Sequence, residues 1–293
     1  MGESIVHDPN YAPAYVGLAN CHNLLREYSL IPPAEAYPRA IAAVQHAIAL
    51  DDSLSEAHNC FAFADLYWSW DAQGAQREFR RAIQLDPNSA LAHHWYATFL
   101  MVLGRFDESV TEIEKARMLD PKSSAILADQ GLVLFAAGRG NEGIALLKEL
   151  ETTEPDFLSP HSYLAVIYLQ MRDYKEYLPE AKRSAQLLQD KNRLVIATAA
   201  ERGLTLGGGQ GMLREILRVQ KMLYSSRQVD AYELATTYCL LGDKQHALDL
   251  LQFAVQKREA RVVAMRIDQN FDVLHKEPEF RALLANAGLP PPT

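Results

Sequence analysis

The chain has 293 residues, of which 48% are hydrophobic and 23% are charged, and its formal net charge is −8. This balance argues against direct nucleic-acid binding by this region, because phosphate binding needs clustered Lys and Arg. The three scattered cysteines (Cys21, Cys60 and Cys239) exclude a disulfide framework, and no apolar run reaches the roughly 20 residues of a membrane span. A reducing, cytoplasmic location is therefore expected.

A small residue recurs at a nearly constant spacing along the whole chain. The gaps between its successive members are 43, 35, 34, 34, 35 and 35 residues. A period near 34 indicates one structural unit that is copied and stacked. At these positions we expect two helices to cross closely, because a long side chain would not fit at the contact. The members are Ala19, Ala62, Ala97, Gly131, Ala165, Ala200 and Ala235.

The first predicted elements are a fragment and an enlarged unit. Residues 1–11 are expected to be the end of a preceding repeat, because residues 7–10 resemble the unit end at 86–88. The chain is thus expected to begin partway into a larger array or protein. The first full unit, near 12–54, carries extra residues at 29–38, whose three prolines predict a long bend before its second helix.

The third unit, near 90–123, shows the pattern best. Its first helix is predicted from Leu91 to Leu103, and Gly104 suits the left-handed residue that ends such a helix. Asp107 suits the cap of the second helix, and Pro121 follows where that helix must stop. Each unit is therefore predicted to be two amphipathic helices joined by a short turn.

The other units follow the same plan with some departures. The run of glycines from Gly207 to Gly211 predicts a loose, stretched turn in the sixth unit, and Val262 to Ala287 leaves the repeat phase as a short helical cap over 259–293. The boundaries of these units lie near 55–89, 124–157, 158–192, 193–227 and 228–258.

These features resemble the tetratricopeptide repeat (TPR) family. The third unit carries the family pattern of large, small and turn residues at Tyr96, Ala97, Leu100, Gly104, Ser109, Ile113, Ala116 and Pro121. The resemblance covers roughly residues 12–258 as seven units. It implies an all-α, right-handed α-solenoid of about seven helix-turn-helix units that acts as a non-catalytic protein-protein interaction module.

The closing segment carries a narrower resemblance. Residues 267–290 resemble the end of a bacterial group in which TPR arrays follow a winged-helix transcription-regulating domain, a serine/threonine kinase domain or a nucleotide cyclase domain. The alternative function is therefore a sensory or regulatory segment of a larger transcriptional regulator or signalling kinase. Its partner would then be its own upstream domain, which is absent from this sequence.

The inner faces of the first helices are the default binding surface of such a stack. We expect a peptide or protein segment to bind there, with Tyr67, Trp95 and Phe135 as aromatic anchors. An apolar face left uncovered at the first helix pair predicts a homodimer. The candidate groove residues by repeat phase are Asn20, Asn59, Phe63, Tyr67, His94, Trp95, Thr98, Met101, Phe135, Tyr163 and Tyr232.

Other chemistry receives less support from the residues. His93 and His94 point about 100° apart on one helix, so they are poorly placed to share a metal ion, and one core and one groove histidine is the simpler interpretation. Glu112 and Glu114 are interpreted as a solvated helix face. No nucleophile, kinase or metalloprotease motif is found, so no cofactor, metal or catalytic residue is expected.

Overall fold

The computed structural model describes residues 7–27 and 32–292. Throughout these ranges the secondary structure is helical and contains no strand, which confirms the all-α prediction. The chain divides into two compact units, with the boundary between Lys122 and Ser123. No helix in the described ranges combines the length and apolar character that a membrane span requires.

In the first compact unit, the residues that the structure describes form three consecutive helix pairs. Within each pair the two helices run back along one another and pack through their apolar faces. The third pair matches the two helices predicted near 90–123. The helices are α1 (Ala12–Glu27), α2 (Pro33–Leu50), α3 (Ser55–Ala64), a short π-helix (Asp65–Ser69), α4 (Ala72–Leu85), α5 (Ala90–Val102) and α6 (Phe106–Leu119).

The second compact unit continues the pattern and then departs from it. Two ordinary pairs are followed by one long, kinked helix, a further pair and a closing segment of short helices. Its helices are α7 (Ser124–Ala136), α8 (Gly140–Thr153), α9 (Leu158–Gln170), α10 (Tyr174–Leu187), α11 (Lys191–Ser225), α12 (Ala231–Leu240), α13 (Lys244–Gln256), 3-10 helices at Ala260–Ala264 and Gln269–Leu274, and α14 (Pro278–Asn286).

The small residues of the repeat lie where two helices cross, as predicted. Ala97 is fully buried, and its backbone carbonyl accepts a 2.7 Å hydrogen bond from the Ser109 hydroxyl on the partner helix. Between α7 and α8 the contact is made by Gly131 and Gly143, and a Cβ on Gly143 would lie 2.3 Å from the Gly131 carbonyl oxygen. Any side chain there would push the two helices apart.

Where the structure describes the turn inside a pair, that turn uses one residue in the left-handed region. Glycine fills this place at Gly104 (φ 70°), Gly138 (φ 81°) and Gly242 (φ 86°), which confirms the role predicted for Gly104. Trp70 (φ 58°) and Arg172 (φ 62°) fill the same place in other pairs, although a left-handed conformation strains a residue that carries a Cβ.

Two local predictions in the first unit are wrong. The cap of α6 is Arg105, so Asp107 lies in the first turn of that helix, where its carboxylate complements the helix dipole. The predicted bend at 29–38 is also not what forms, because α2 already begins at Pro33 and continues through Pro38. Proline suits the first helical position, since its missing N–H would have no partner there. Residues 28–31 of that insertion lie outside the described residues.

The sixth repeat folds as one kinked helix. Non-helical angles at Gly207 (φ −146°) and Gly208 (φ 59°) break α11 into two arms, as the glycine run predicts. The tightest crossing of these arms lies between Gly203 and Gly211, because a Cβ on Gly203 would lie 2.4 Å from the Gly211 carbonyl oxygen. The predicted crossing residue Ala200 is fully buried one helical turn earlier.

Candidate functional site

Aromatic side chains from two successive first helices meet in the first compact unit. The buried Phe63 ring lies 4.4 Å from the Tyr67 ring and 4.8 Å from the Trp95 ring, measured between centroids. Trp68 continues the cluster by stacking on Tyr37 at 5.9 Å. Because Tyr67, Trp68 and Trp95 are only partly buried, they form a partly exposed aromatic surface over Phe63, which we call the aromatic surface.

The aromatic surface adjoins an irregular turn. The end of the first helix widens into the π-helix Asp65–Ser69, and Trp70 follows in the left-handed region. The sequence spacing explains the widening: His58 and Glu78 are 20 residues apart, whereas the matching His93 and Glu112 are 19 apart. One extra residue therefore enters this pair, and a π-turn absorbs it. Such turns are frequent at functional sites.

The irregular turn also holds a half-buried carboxyl group. Burial raises the pKa of Asp65 to about 6, against the opposing effect of its hydrogen bond with Ser69. Counted along the first helices, Asp65 takes the place that Leu100 occupies in the next pair. The turn thus departs from the repeat in its backbone, its left-handed residue and its polarity.

Five of the predicted groove residues are partly exposed in the structure: Asn20, Tyr67, Trp95, Thr98 and Tyr163. Asn20, Thr98 and Tyr163 make side-chain hydrogen bonds, and the Thr98 hydroxyl donates to the Trp95 carbonyl at 2.9 Å. The Cys60 thiol donates to the Asn20 amide oxygen at 2.8 Å, and the Tyr163 hydroxyl donates to Asp129 at 2.5 Å. Cys60 itself is buried, and burial raises the pKa of its thiol, so it is not a reactive thiolate.

The remaining groove predictions are wrong as to exposure. Each first helix packs against its own second helix and against the first helix of a neighbouring pair, which leaves only a narrow exposed strip. A residue one position away from that strip becomes part of the core. The buried residues are Asn59, Phe63, His94, Met101, Phe135 and Tyr232.

In the second compact unit, two predicted groove residues serve the core. Phe135 packs against Leu147 and Leu164 in the core of the fourth and fifth pairs. Tyr232 is covered by the closing segment, because its hydroxyl donates to Asp268 at 3.0 Å and its ring meets Phe271 edge-on at 5.3 Å. The closing segment thus covers the face that the repeat phase predicted to be open.

A buried histidine links the two helices of several pairs. Both His93 and His94 are buried, so the prediction of one core and one groove histidine is wrong for His94. His93 Nδ1 lies 2.5 Å from a Glu112 carboxylate oxygen, and its Nε2 lies 3.0 Å from the Pro87 carbonyl. Glu112 is therefore a partner of a buried side chain, and its interpretation as a solvated residue is wrong.

The same arrangement occurs at two other places. His58 pairs with Glu78 at 2.7 Å, and His161 pairs with Glu180 at 2.8 Å. His161 differs because a second carboxylate, from Glu151 of the preceding pair, lies 2.7 Å from the same Nδ1. Burial, with the nearby Glu180 carboxylate, raises the pKa of Glu151 to about 7.

Sequence reasoning missed the irregular turn and the second carboxylate. The turn has a visible signal, because Trp70 stands 34 residues before Gly104, where the repeat calls for glycine. Glu151 also has a visible signal, because it lies ten residues before His161. The residues ten positions before His58 and His93 are Ile48 and Ile83. Neither signal states that the side chains meet, because that depends on how neighbouring pairs pack.

Known proteins share this sequence pattern and this fold. Residues 71–128 match the family model described as Tetratricopeptide repeat. The cellulose synthase operon protein C of Salmonella typhimurium is 28% identical over 104 residues, which make up 36% of this chain and 8% of that protein. The chain therefore spans less than a tenth of that relative's length.

Solved structures with similar folds extend the likeness over more of the chain. PilW, a widely conserved type IV pilus biogenesis factor, gives a TM-score of 0.54 at 21% identity and covers 72% of this chain and 96% of its own. The pilF protein of Pseudomonas aeruginosa gives a TM-score of 0.52 at 17% identity, and the match covers 74% of this chain and 91% of that protein. Yeast Tom70 gives a TM-score of 0.52 at 15% identity, and the match covers 97% of this chain and 60% of that protein.

At these identities the structural likeness shows the fold alone. The helix pairs observed here, the recurring small residues at their crossings and the match to the family model agree with one another. Residues 71–128 thus carry the tetratricopeptide repeat, and the described chain has the fold of a tetratricopeptide repeat solenoid.

Proposed function

We propose that this chain is a non-catalytic module that binds a segment of another protein through the aromatic surface. The observation that carries the proposal is the position of Phe63, whose buried ring supports the partly exposed rings of Tyr67 and Trp95 at 4.4 and 4.8 Å. Rigid aromatic rings held in this way supply most of the energy at protein interfaces, because they bury much apolar area at a small cost in conformational entropy.

The chemistry of the surface defines the kind of partner. Its partly exposed members are aromatic rings, and Thr98 and Asn20 are partly exposed polar residues on first helices of the same compact unit. We therefore expect a protein segment with an apolar or aromatic anchor residue that packs against Tyr67 and Trp95. The proposed binding surface therefore retains only those predicted groove residues that are partly exposed.

The three tryptophans of the chain offer a direct probe. Trp68 and Trp95 belong to the aromatic surface, and Trp70 lies in the adjoining turn. Peptides selected from a displayed random library against the full chain would be titrated while the tryptophan emission is recorded. A bound apolar anchor should shift the emission to shorter wavelength, because it removes water from the rings.

Two variants test whether the binding is local. Tyr67→Ala combined with Trp95→Ala should weaken binding of a selected peptide by at least tenfold, which corresponds to about 1.4 kcal/mol. Met118→Ala is the control, since Met118 is a large apolar side chain in the same compact unit that is 75% exposed. Equal affinity of the double variant and the control would disprove the aromatic surface as the binding site, provided that circular dichroism shows both to be folded.

A second proposal assigns the array to the regulation of a larger protein. The resemblance of residues 267–290 to the closing segment of bacterial TPR regulators and kinases favours it. Its partner would be an upstream domain of the same polypeptide, in a cytoplasmic protein. Comparing peptide binding by this chain with that of the longer gene product would separate the two proposals, since an upstream domain seated on the aromatic surface should block the peptide.

We also propose that the chain forms a homodimer and that it does not bind nucleic acid directly. Sedimentation across a hundredfold range of concentration tests the dimer, and a constant monomer mass would contradict it. Titration with a labelled oligonucleotide at low salt tests the absence of nucleic-acid binding, because electrostatic binding is strongest at low salt. Binding under those conditions would contradict this proposal.

A further inference from the structure

One buried and two partly buried side chains from two successive helix pairs of the second compact unit converge on one point. Glu151 comes from α8, His161 from α9 and Glu180 from α10. His161 Nδ1 lies 2.7 Å from a Glu151 oxygen and 2.8 Å from a Glu180 oxygen. All three ligand atoms lie within 4.8 Å of one another, and the side chains are 9%, 18% and 14% exposed for His161, Glu151 and Glu180.

The hydrogen bond on the far side of the ring determines what His161 offers to the two carboxylates. Nε2 lies 3.2 Å from the Pro155 carbonyl oxygen, which can only accept, so Nε2 carries a proton. In the neutral ring, Nδ1 then presents a lone pair to two carboxylates. A backbone carbonyl that holds the second ring nitrogen in this way is the arrangement that orients metal-ligating histidines.

Two acidic side chains and one imidazole nitrogen meet at this point, so either a proton or a metal ion must lie between them. Lys148 is a described cation whose charge acts on Glu151, but its ammonium group pairs with Glu176 at 3.5 Å. Among the described residues, no lysine or arginine forms an ion pair with Glu151 or Glu180. A divalent ion that binds here displaces the shared proton, and its charge stabilises both carboxylates.

We propose that Glu151, His161 and Glu180 bind a divalent transition-metal ion, Zn²⁺ being the best match. One imidazole nitrogen and two carboxylate oxygens suit zinc, whereas Mg²⁺ and Ca²⁺ prefer oxygen ligands alone. Zinc ligands at about 2.1 Å in a tetrahedron lie roughly 3.4 Å apart, so each carboxylate must move outward by well under about 1 Å. The bound ion links the fourth helix pair to the fifth.

The chain contains its own comparison for this site. At His58 and His93 the same histidine meets one glutamate, and the place of Glu151 is taken by Ile48 and Ile83. In each of those two places, the histidine and its glutamate can share a single proton, so no metal ion is required. Glu151→Ile therefore converts the proposed site into the form that the other pairs already have.

The test is a calorimetric Zn²⁺ titration of the full chain, freed of any histidine tag and stripped with a chelator. We expect one equivalent to bind, with at least tenfold weaker affinity in Glu151→Ile and in Glu180→Gln. Glu112→Gln, at the matching His93 pair, should leave binding unchanged. Mg²⁺ in place of Zn²⁺ should give no heat above dilution.

Two further readouts separate this site from misfolding and from thiols. Zn²⁺ should raise the melting temperature of the wild type but not of Glu151→Ile, with equal helix content in both. Co²⁺ in the site should show no thiolate charge-transfer absorption, because its ligands are nitrogen and oxygen. The proposal is overturned by absence of Zn²⁺ binding, by unchanged binding in Glu151→Ile, or by a thiolate band.

Discussion

The second and third helix pairs of the first compact unit are copies of one repeat that differ by a single residue. In the third pair, α5 ends at Val102 and Gly104 makes the turn. In the second pair, an added residue widens the helix end into the π-helix Asp65–Ser69, and Trp70 makes the turn. The difference shows that one inserted residue is absorbed locally, since the second helices of both pairs keep the same buried positions.

The largest effect is expected at the core that both pairs share. Phe79 is 1% exposed, and its ring lies 5.7 Å from Tyr96 and 5.4 Å from Phe99. Phe79→Ala should lower the free energy of unfolding by about 3–5 kcal/mol, because it leaves a cavity between the pairs. The equivalent change in the third pair, Ile113→Ala, should cost about 2–5 kcal/mol. Urea denaturation measures both, and a loss below 1 kcal/mol for Phe79→Ala would contradict the shared core.

The regular turn should tolerate no side chain without strain. Gly104 has φ 70°, so Gly104→Ala should destabilise the chain by about 1–2 kcal/mol, the cost of a left-handed residue with a Cβ. Ala137→Gly is the control, because Ala137 lies one residue before the left-handed Gly138 and does not itself occupy the left-handed region. It measures the effect of exchanging alanine and glycine at an ordinary backbone conformation. A neutral Gly104→Ala would show that this turn can relax as the irregular one does.

The irregular turn should make stability depend on pH. The folded-state pKa of Asp65 is raised to about 6 by burial, so the folded state holds more protons than the unfolded state between about pH 4 and 6. Its contribution to stability is therefore present at low pH and is lost as pH rises toward 6. Asp65→Asn should remove this loss, on the order of 1 kcal/mol for a group partly screened by solvent.

The matching measurement is the melting temperature of both proteins from pH 4 to 7.5. The difference between variant and wild type should grow in favour of the variant up to pH 6 and then stay constant. A difference that is the same at every pH would show that the carboxyl group titrates as it does in the unfolded chain.

The smallest stability effect is expected from Trp70→Gly. Removing the ring loses apolar contacts, but glycine relieves the strain at φ 58°, so the net change should stay within about 1 kcal/mol. The same variant should alter the tryptophan emission change on peptide binding if Trp70 takes part. A loss of several kcal/mol would mean that the ring is a core residue.

The sequence predicted the helix pairs because their determinants are local and repeat. The period near 34, the small residues such as Ala97 and Gly131, and the left-handed Gly104 and Gly138 each act within a few turns of helix. The candidate site was predicted in part. Tyr67 and Trp95 remain partly exposed, whereas His94 is buried, because a helix packed on several sides leaves an exposed strip narrower than the repeat phase implies.

By itself, then, the sequence determined the all-α class and, outside the sixth repeat, crossing residues such as Ala97 and Gly131, since spacing and side-chain size suffice for these. Tertiary structure decided which residues meet across pairs. Glu151 reaches His161 from the preceding pair, and the closing segment covers Tyr232 through Asp268 and Phe271. Such contacts depend on how helix pairs pack against one another, and a repeat period carries no information about that packing.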